Sequence, residues 1–118
     1  MTTELEALPL TKDITLVQGG DWHETINLFE DDQVTPKDTT NYTCEMTIMS
    51  GPNGEVYDTL TIASGEIVHT PASGQFNLNL TAATIATYDF ISAVRKVIIT
   101  DASGGKVPLI VGNVKVIP

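Results

Sequence analysis

The most regular feature of the sequence is an alternation of apolar and polar residues with a period of two. In "FNLNL" (76–80), Phe76, Leu78 and Leu80 are apolar, and Asn77 and Asn79 between them are polar. Six other segments share this period or are rich in β-branched residues, and each has the length of a strand. They are residues 13–18, 22–29, 42–49, 55–62, 95–100 and 106–117. The sequence therefore predicts a protein built from strands with one buried face.

Turn signals separate these strands. Residues 51–55, "GPNGE", predict a tight hairpin because proline fixes one turn position and glycine takes positive φ. Residues 101–106, "DASGGK", predict a second hairpin through their two glycines. Residues 30–41 are too polar for a strand and form the longest predicted loop. Within the last strand, Gly112 predicts a bulge and Pro108 predicts an edge or a kink. The pattern as a whole predicts an all-β, immunoglobulin-like antiparallel β-sandwich of about seven strands.

One short helical turn is expected after the "FNLNL" strand. The period of two ends at Leu80, and Thr81 is a suitable N-cap for Ala82 and Ala83. We expect Ile85 to lie in the core and the next strand to begin near Ser92. The turn is thus predicted to connect the two sheets.

The first residues are predicted to form an arm that precedes the sandwich. We place the arm at residues 1–12 and the β-sandwich domain at residues 13–118. The length of the chain corresponds to one domain. Three leucines in the arm are candidate interface residues, namely Leu5, Leu8 and Leu10. Pro9 prevents one continuous helix, so these leucines are expected to bind a neighbouring subunit as an added strand or a clip. The alternative is a disordered terminus.

The charge of the chain excludes some partners. Fifteen acidic and six basic residues give a net charge of −9, which argues against nucleic acid and against anionic membranes. The sequence contains no run of 18 apolar residues, so it predicts no membrane span. The first ten residues contain two glutamates and no basic residue, so no secretory signal is expected. We interpret the acidity as a solubility feature.

No constellation of residues predicts catalysis, a cofactor or a metal site. Cys44 is the only cysteine and lies on the apolar face of its strand, so it is predicted to be a buried structural thiol. His23 and His69 lack metal-ligand spacing. The acidic residues of loop 30–41 leave calcium as a minor alternative, although they match no EF-hand. We therefore predict a protein that is not an enzyme.

Two aromatic residues bear on sugar binding. Trp22 follows a Gly-Gly turn and is in step with Ile26 and Leu28, so it is predicted to anchor the core. Tyr57 is the one clear outward-facing aromatic side chain. A carbohydrate-binding module would need a row of such residues, and that function is therefore the weaker alternative.

The order of motifs resembles a known family. After "QGGD" come "SGPNGEVY", then "SGQFNLNLTAATIATYDF", and finally "TDASGGKV" leading to "GNVKVIP". This layout resembles small phage structural domains typified by the N-terminal domain of siphophage upper baseplate proteins. The elements that carry the resemblance are Gly74–Leu80, Thr81–Thr87 and Thr100–Gly105, and the match extends over residues 13–118.

The resemblance implies an assembly role. It implies a non-enzymatic virion structural protein, assembled in the host cytoplasm, that acts as a tail, baseplate or neck adaptor. The implied partners are copies of itself, as a homo-oligomer within a particle, and other virion proteins. A capsid decoration protein is the alternative that would use the same sandwich.

Overall fold

The computed structural model of the protein describes residues 9–30, 32–51 and 54–118. Over these ranges the chain forms nine strands, one short α-helix and one 3₁₀ turn (Pro71–Ser73). In chain order the elements are β1 (Leu10–Thr11), β2 (Ile14–Val17), β3 (Trp22–Asn27), β4 (Thr43–Met49), β5 (Val56–Thr61), β6 (Ile67–Thr70), β7 (Gln75–Leu80), α1 (Ala82–Ile85), β8 (Ser92–Thr100) and β9 (Lys106–Ile117).

The strands form two sheets that pack as a sandwich. The large sheet has the order β1-β9-β8-β4-β5, and β2 also pairs with β9. The small sheet has the order β3-β7-β6. In the nomenclature of immunoglobulin folds, β3, β7 and β6 correspond to strands B, E and D, and β4, β8 and β9 to C, F and G. The predicted all-β sandwich is confirmed.

The alternating residues form the core between the sheets. Phe76, Leu78 and Leu80 are fully buried, as predicted from their period. They meet inward-facing residues of the large sheet, which include Met46, Ile48, Leu60, Val97 and Val114. Burial of one face of each sheet therefore explains the period of two in the sequence.

The outward face of the small sheet carries a ladder of polar side chains. His23 Nδ1 and Asn79 Oδ1 lie 2.7 Å apart and share a hydrogen bond. On the next rung, the Thr25 hydroxyl donates to Asn77 Oδ1 at 2.7 Å. Both asparagines therefore face away from the core, as expected from the sequence, and the structure adds that each pairs with a side chain of β3.

The structure adds two strands to the seven that the sequence predicts. The first is β1, which has two residues, and the second is β6, a four-residue edge strand. Both β1 and β2 pair with β9 in parallel, with Leu10 opposite Ile110 and Ile14 opposite Val114. All other described strand pairs are antiparallel.

The predicted bulge at Gly112 is wrong, because the irregularity in β9 lies at Leu109. Val97 pairs with Ile110 and Ile98 pairs with Pro108, so Leu109 is the extra residue. Gly112 pairs regularly, and it is needed for another reason. A Cβ atom on Gly112 would collide with the backbone carbonyl of Lys12.

The helical turn that links the sheets is confirmed. Thr81 is the N-cap of α1, and its hydroxyl accepts a hydrogen bond from the Thr84 amide at 3.2 Å. Ile85 is fully buried. Beyond the turn, the Tyr88 hydroxyl donates to Asp58 Oδ2 at 2.6 Å, which fastens the turn to the edge strand β5.

We expect Leu78→Ala to lower the free energy of unfolding by about 2–5 kcal/mol, because it leaves a cavity beneath the small sheet. The matched control is Val68→Ala on the neighbouring strand β6, where the side chain is exposed. That change should stay within about 0.5 kcal/mol. Chemical denaturation followed by Trp22 fluorescence measures both, and equal losses would contradict the assigned core.

Candidate functional site

The structure places one of the three candidate interface leucines. Leu10 lies in β1 and is 50% exposed, although its backbone pairs with Ile110 of β9. Leu5 and Leu8 lie outside the described residues. Among the described residues, sheet pairing thus begins at Leu10, inside the segment assigned to the arm, and the division at residue 12 stays a prediction.

Between β1 and β2 the chain passes over Gly112 without a change of register against β9. The Lys12 amide donates to the Val111 carbonyl at 2.9 Å. One residue later, Asp13 Oδ1 accepts a hydrogen bond from the Asn113 amide at 2.9 Å. The Lys12 carbonyl lies directly over Gly112, where any side chain would displace it. As a result, β1 and β2 are two halves of one edge strand that is interrupted at Lys12 and Asp13.

A buried ion pair lies beneath Lys12 and joins the two sheets. Arg95 of β8 is 1% exposed and Glu24 of β3 is 8% exposed. Arg95 Nη1 donates to Glu24 Oε1 at 2.7 Å, and Arg95 Nη2 donates to Glu24 Oε2 at 3.1 Å. Two parallel hydrogen bonds of this kind fix the relative orientation of both side chains.

The same guanidinium holds the N-terminal strand. Arg95 Nε and Nη2 donate to the Lys12 carbonyl at 3.3 and 3.1 Å. In return, Lys12 Nζ lies 3.1 Å from Glu24 Oε2. Burial raises the pKa of the Glu24 carboxyl, but hydrogen bonds and positive charge from Arg95 and Lys12 outweigh burial and hold the pKa below its ordinary value of 4.5.

Sequence reasoning missed this ion pair, although a signal was present. Glu24 is in step with Trp22 and Ile26, and Arg95 is in step with Val97. Charged residues at inward positions of two strands indicate a buried pair, because an isolated buried charge is very costly.

The surroundings of Cys44 and His69 show what these two side chains do in the fold. Cys44 is buried, and burial raises the pKa of its thiol to about 12, with further contributions from the charges of Glu45 and Glu24. A thiol with such a pKa is a poor nucleophile. His69 stacks on Phe76 with ring centroids 4.3 Å apart, and burial lowers its pKa. The predicted burial of Cys44 is confirmed.

The carboxylates of the acidic loop cap its own turns. Asp32 Oδ1 accepts hydrogen bonds from the amides of Val34 and Thr35, and Asp38 Oδ1 accepts one from the amide of Thr40. Within the described ranges, no three His, Cys, Asp or Glu side chains are grouped so that they could hold a metal ion. Asp31, which belongs to the calcium alternative, lies outside those ranges.

The predicted aromatic residues also have defined surroundings. Trp22 is half-buried and packs against the core, which confirms its role as an anchor. Tyr57 is 37% exposed, as expected, and its ring stacks on Phe90 with centroids 4.4 Å apart. No helix in the described part of the chain is long and apolar enough to cross a membrane.

Comparison with known proteins reveals a fold relationship. No protein-family model matches the chain, and no curated protein sequence matches it. Among solved structures, the chain is similar to the N-terminal domain of ORF48 of phage TP901-1, with a TM-score of 0.53 and 10% identity over 91% of this chain and 86% of that domain. It is also similar to extracellular domains 3–5 of Drosophila OTK, with 10% identity over 90% of this chain and 33% of that one, but the TM-score is 0.41.

The first of these matches confirms the resemblance at the level of the fold. Its coverage includes most of both chains, so the similarity concerns the whole sandwich and not a shared hairpin. At 10% identity it carries no information about individual residues.

The buried ion pair predicts a specific pH dependence. At pH 7, Glu24→Gln should lower the free energy of unfolding by about 3 kcal/mol or more, because Arg95 then stays buried without its counter-charge. The folded-state pKa of Glu24 lies below the ordinary value of 4.5, so its contribution is complete above that pH. As the pH falls through the folded-state pKa, the wild type loses this contribution and the difference between the two proteins should shrink.

The control for this measurement is Glu30→Gln, which removes an exposed ion pair with Lys37 whose atoms lie 3.8 Å apart. That change should cost less than about 1 kcal/mol. Urea unfolding at a series of pH values measures both variants. A pH-independent loss in Glu24→Gln would contradict the assigned role of the carboxylate charge.

Proposed function

We propose that this protein is a non-enzymatic structural protein of a phage virion, where it acts as a tail, baseplate or neck adaptor. The observation that carries the proposal is the similarity to the phage TP901-1 ORF48 N-terminal domain over 91% of the chain. The motif order in the sequence, from the "GPNGE" hairpin to the final strand, supports the same family independently of the structure.

The geometry suits a rigid adaptor with an attached segment. Within the described residues, β1 pairs only with β9, so its other edge is free to accept a strand from another chain. Leu10 offers an apolar side chain on that edge. In this proposal the N-terminal segment binds a neighbouring copy or another virion protein, and the leucines at positions 5, 8 and 10 supply the apolar contact.

The location in the particle can be measured directly. The protein is expected to be present in purified virions by mass spectrometry, and antibody-gold labelling is expected to mark the tail or its base. Labelling of the head surface would contradict the adaptor role and support the capsid decoration alternative. Absence from purified virions would contradict both.

Deletion of residues 1–8 should weaken assembly without unfolding the protein. All described strands remain, so the free energy of unfolding should change by less than about 1 kcal/mol. Size-exclusion chromatography with light scattering would show a smaller oligomer, and incorporation into particles would fall.

Two full-length variants separate the leucines from the length of the segment. Leu5→Ser combined with Leu8→Ser should reproduce the assembly defect of the deletion. Thr2→Ser combined with Thr3→Ser should assemble like the wild type. An unchanged oligomer and normal incorporation of the deleted protein would contradict the role of the segment, and loss of monomer stability would mean that the segment belongs to its own core.

A further inference from the structure

A cleft with aromatic walls lies where the turn between the sheets meets the edge strand β5. The ring of Phe90 stacks on Tyr57 at 4.4 Å and contacts Tyr88 at 5.0 Å between centroids. The cleft has a volume of about 240 Å³ and is also lined by Asp58, Thr87 and Asp89. None of these residues takes part in the N-terminal segment or in the ion pair of Arg95.

The cleft combines π-electron surfaces with unneutralised negative charge. In the described part of the chain, neither Asp58 nor Asp89 forms a salt bridge. Asp58 accepts one hydrogen bond at each oxygen, from the Thr59 amide and from the Tyr88 hydroxyl, which leaves lone pairs free. Burial raises the pKa of Tyr88, and the hydrogen bond and charge of Asp58 and the charge of Glu66 raise it further.

We propose that this cleft binds a cationic side chain, arginine or lysine, presented by a basic segment of a partner protein. A guanidinium or ammonium group is attracted to the face of an aromatic ring and to a carboxylate at the same time. The chain carries a net charge of −9, so the surrounding field also favours the approach of a basic partner.

The geometry favours a single cationic side chain over a sugar chain. Tyr57 and Phe90 are nearly parallel, with an interplanar angle of 10°, so each ring covers one face of the other. Phe90 also packs against Tyr88, so the ring that stays accessible to a cation is that of Tyr57, which is 37% exposed. A row of open ring faces, which a sugar platform would need, is therefore not formed by this pair. The volume of about 240 Å³ is below the range of about 300–1,000 Å³ that is typical of sites for drug-sized ligands.

This inference deepens the proposed function, because the partner would be another protein of the particle. The test, however, needs only the isolated protein. Failure of the test would remove the cleft as a binding site, and the location of the protein in virions would still be decided by its own measurement.

The test is a titration of isotope-labelled protein with the peptide N-acetyl-Gly-Arg-Gly-amide, followed by NMR. We expect the resonances of Tyr57, Phe90 and Asp89 to shift, with a dissociation constant of about 1–10 mM for this minimal ligand. The counterpart with citrulline, which has a similar shape and no charge, should bind at least about fivefold more weakly. Added salt should weaken the binding of the arginine peptide.

Variants with matched controls assign the binding to the cleft. Tyr57→Leu and Asp89→Asn should each weaken binding by about two- to fivefold. Phe29→Leu and Glu45→Gln remove an exposed aromatic ring and an exposed carboxylate elsewhere, and they should leave binding unchanged. Melting temperatures of all four variants verify that each is folded.

Three results would overturn the proposal. Equal binding of the citrulline peptide would show that charge is not recognised. Shifts of the cleft resonances with maltotriose but not with the arginine peptide would identify a sugar site instead. Absence of shifts at a peptide concentration of about 10 mM would show that the cleft has no useful affinity for the cation.

Discussion

The ion pair between Glu24 and Arg95 is the interaction on which the arrangement of the sandwich depends. It joins β3 and β8, which are the strands that a disulfide joins in antibody domains. This chain has a single cysteine and cannot form such a bridge internally. Buried ion pairs are often no more stabilising than apolar residues of the same volume, but removal of one partner is severe. We therefore interpret the pair as a device that fixes the register and orientation of the two sheets.

The ion pair also determines how the N-terminal strand enters the fold. Arg95 donates to the Lys12 carbonyl, and that carbonyl can approach only because Gly112 has no side chain. The path of the chain at Lys12, between β1 and β2, is thus set from inside the core. If the N-terminal segment binds a neighbour as we propose, a fixed path of this kind limits the ordering cost on binding.

The sequence predicted the features that depend on the local period of apolar residues. It did not predict the contacts between residues that are distant in the chain. The period of two placed Phe76, Leu78 and Leu80 in the core, and Thr81 marked the start of the connecting turn. The strand β6 was missed because a segment of four residues is too short to show a period of two. The pairing of Glu24 with Arg95 was missed because a period states which face is buried but not which strands face each other. The stacking of Tyr57 on Phe90 could not be predicted for the same reason. The interface role of Leu5 and Leu8 still rests on the sequence alone.

A double-mutant cycle on Glu24 and Arg95 tests the central claim most directly. The free energies of unfolding of the wild type, Glu24→Gln, Arg95→Met and the double variant are measured at pH 7 by urea denaturation. If the pair fixes the two sheets, each single variant leaves a buried polar group without its partner, and the double variant is more stable than the sum of the single losses predicts. We expect a coupling free energy of about 1–3 kcal/mol. Losses that add within about 0.5 kcal/mol would contradict the account.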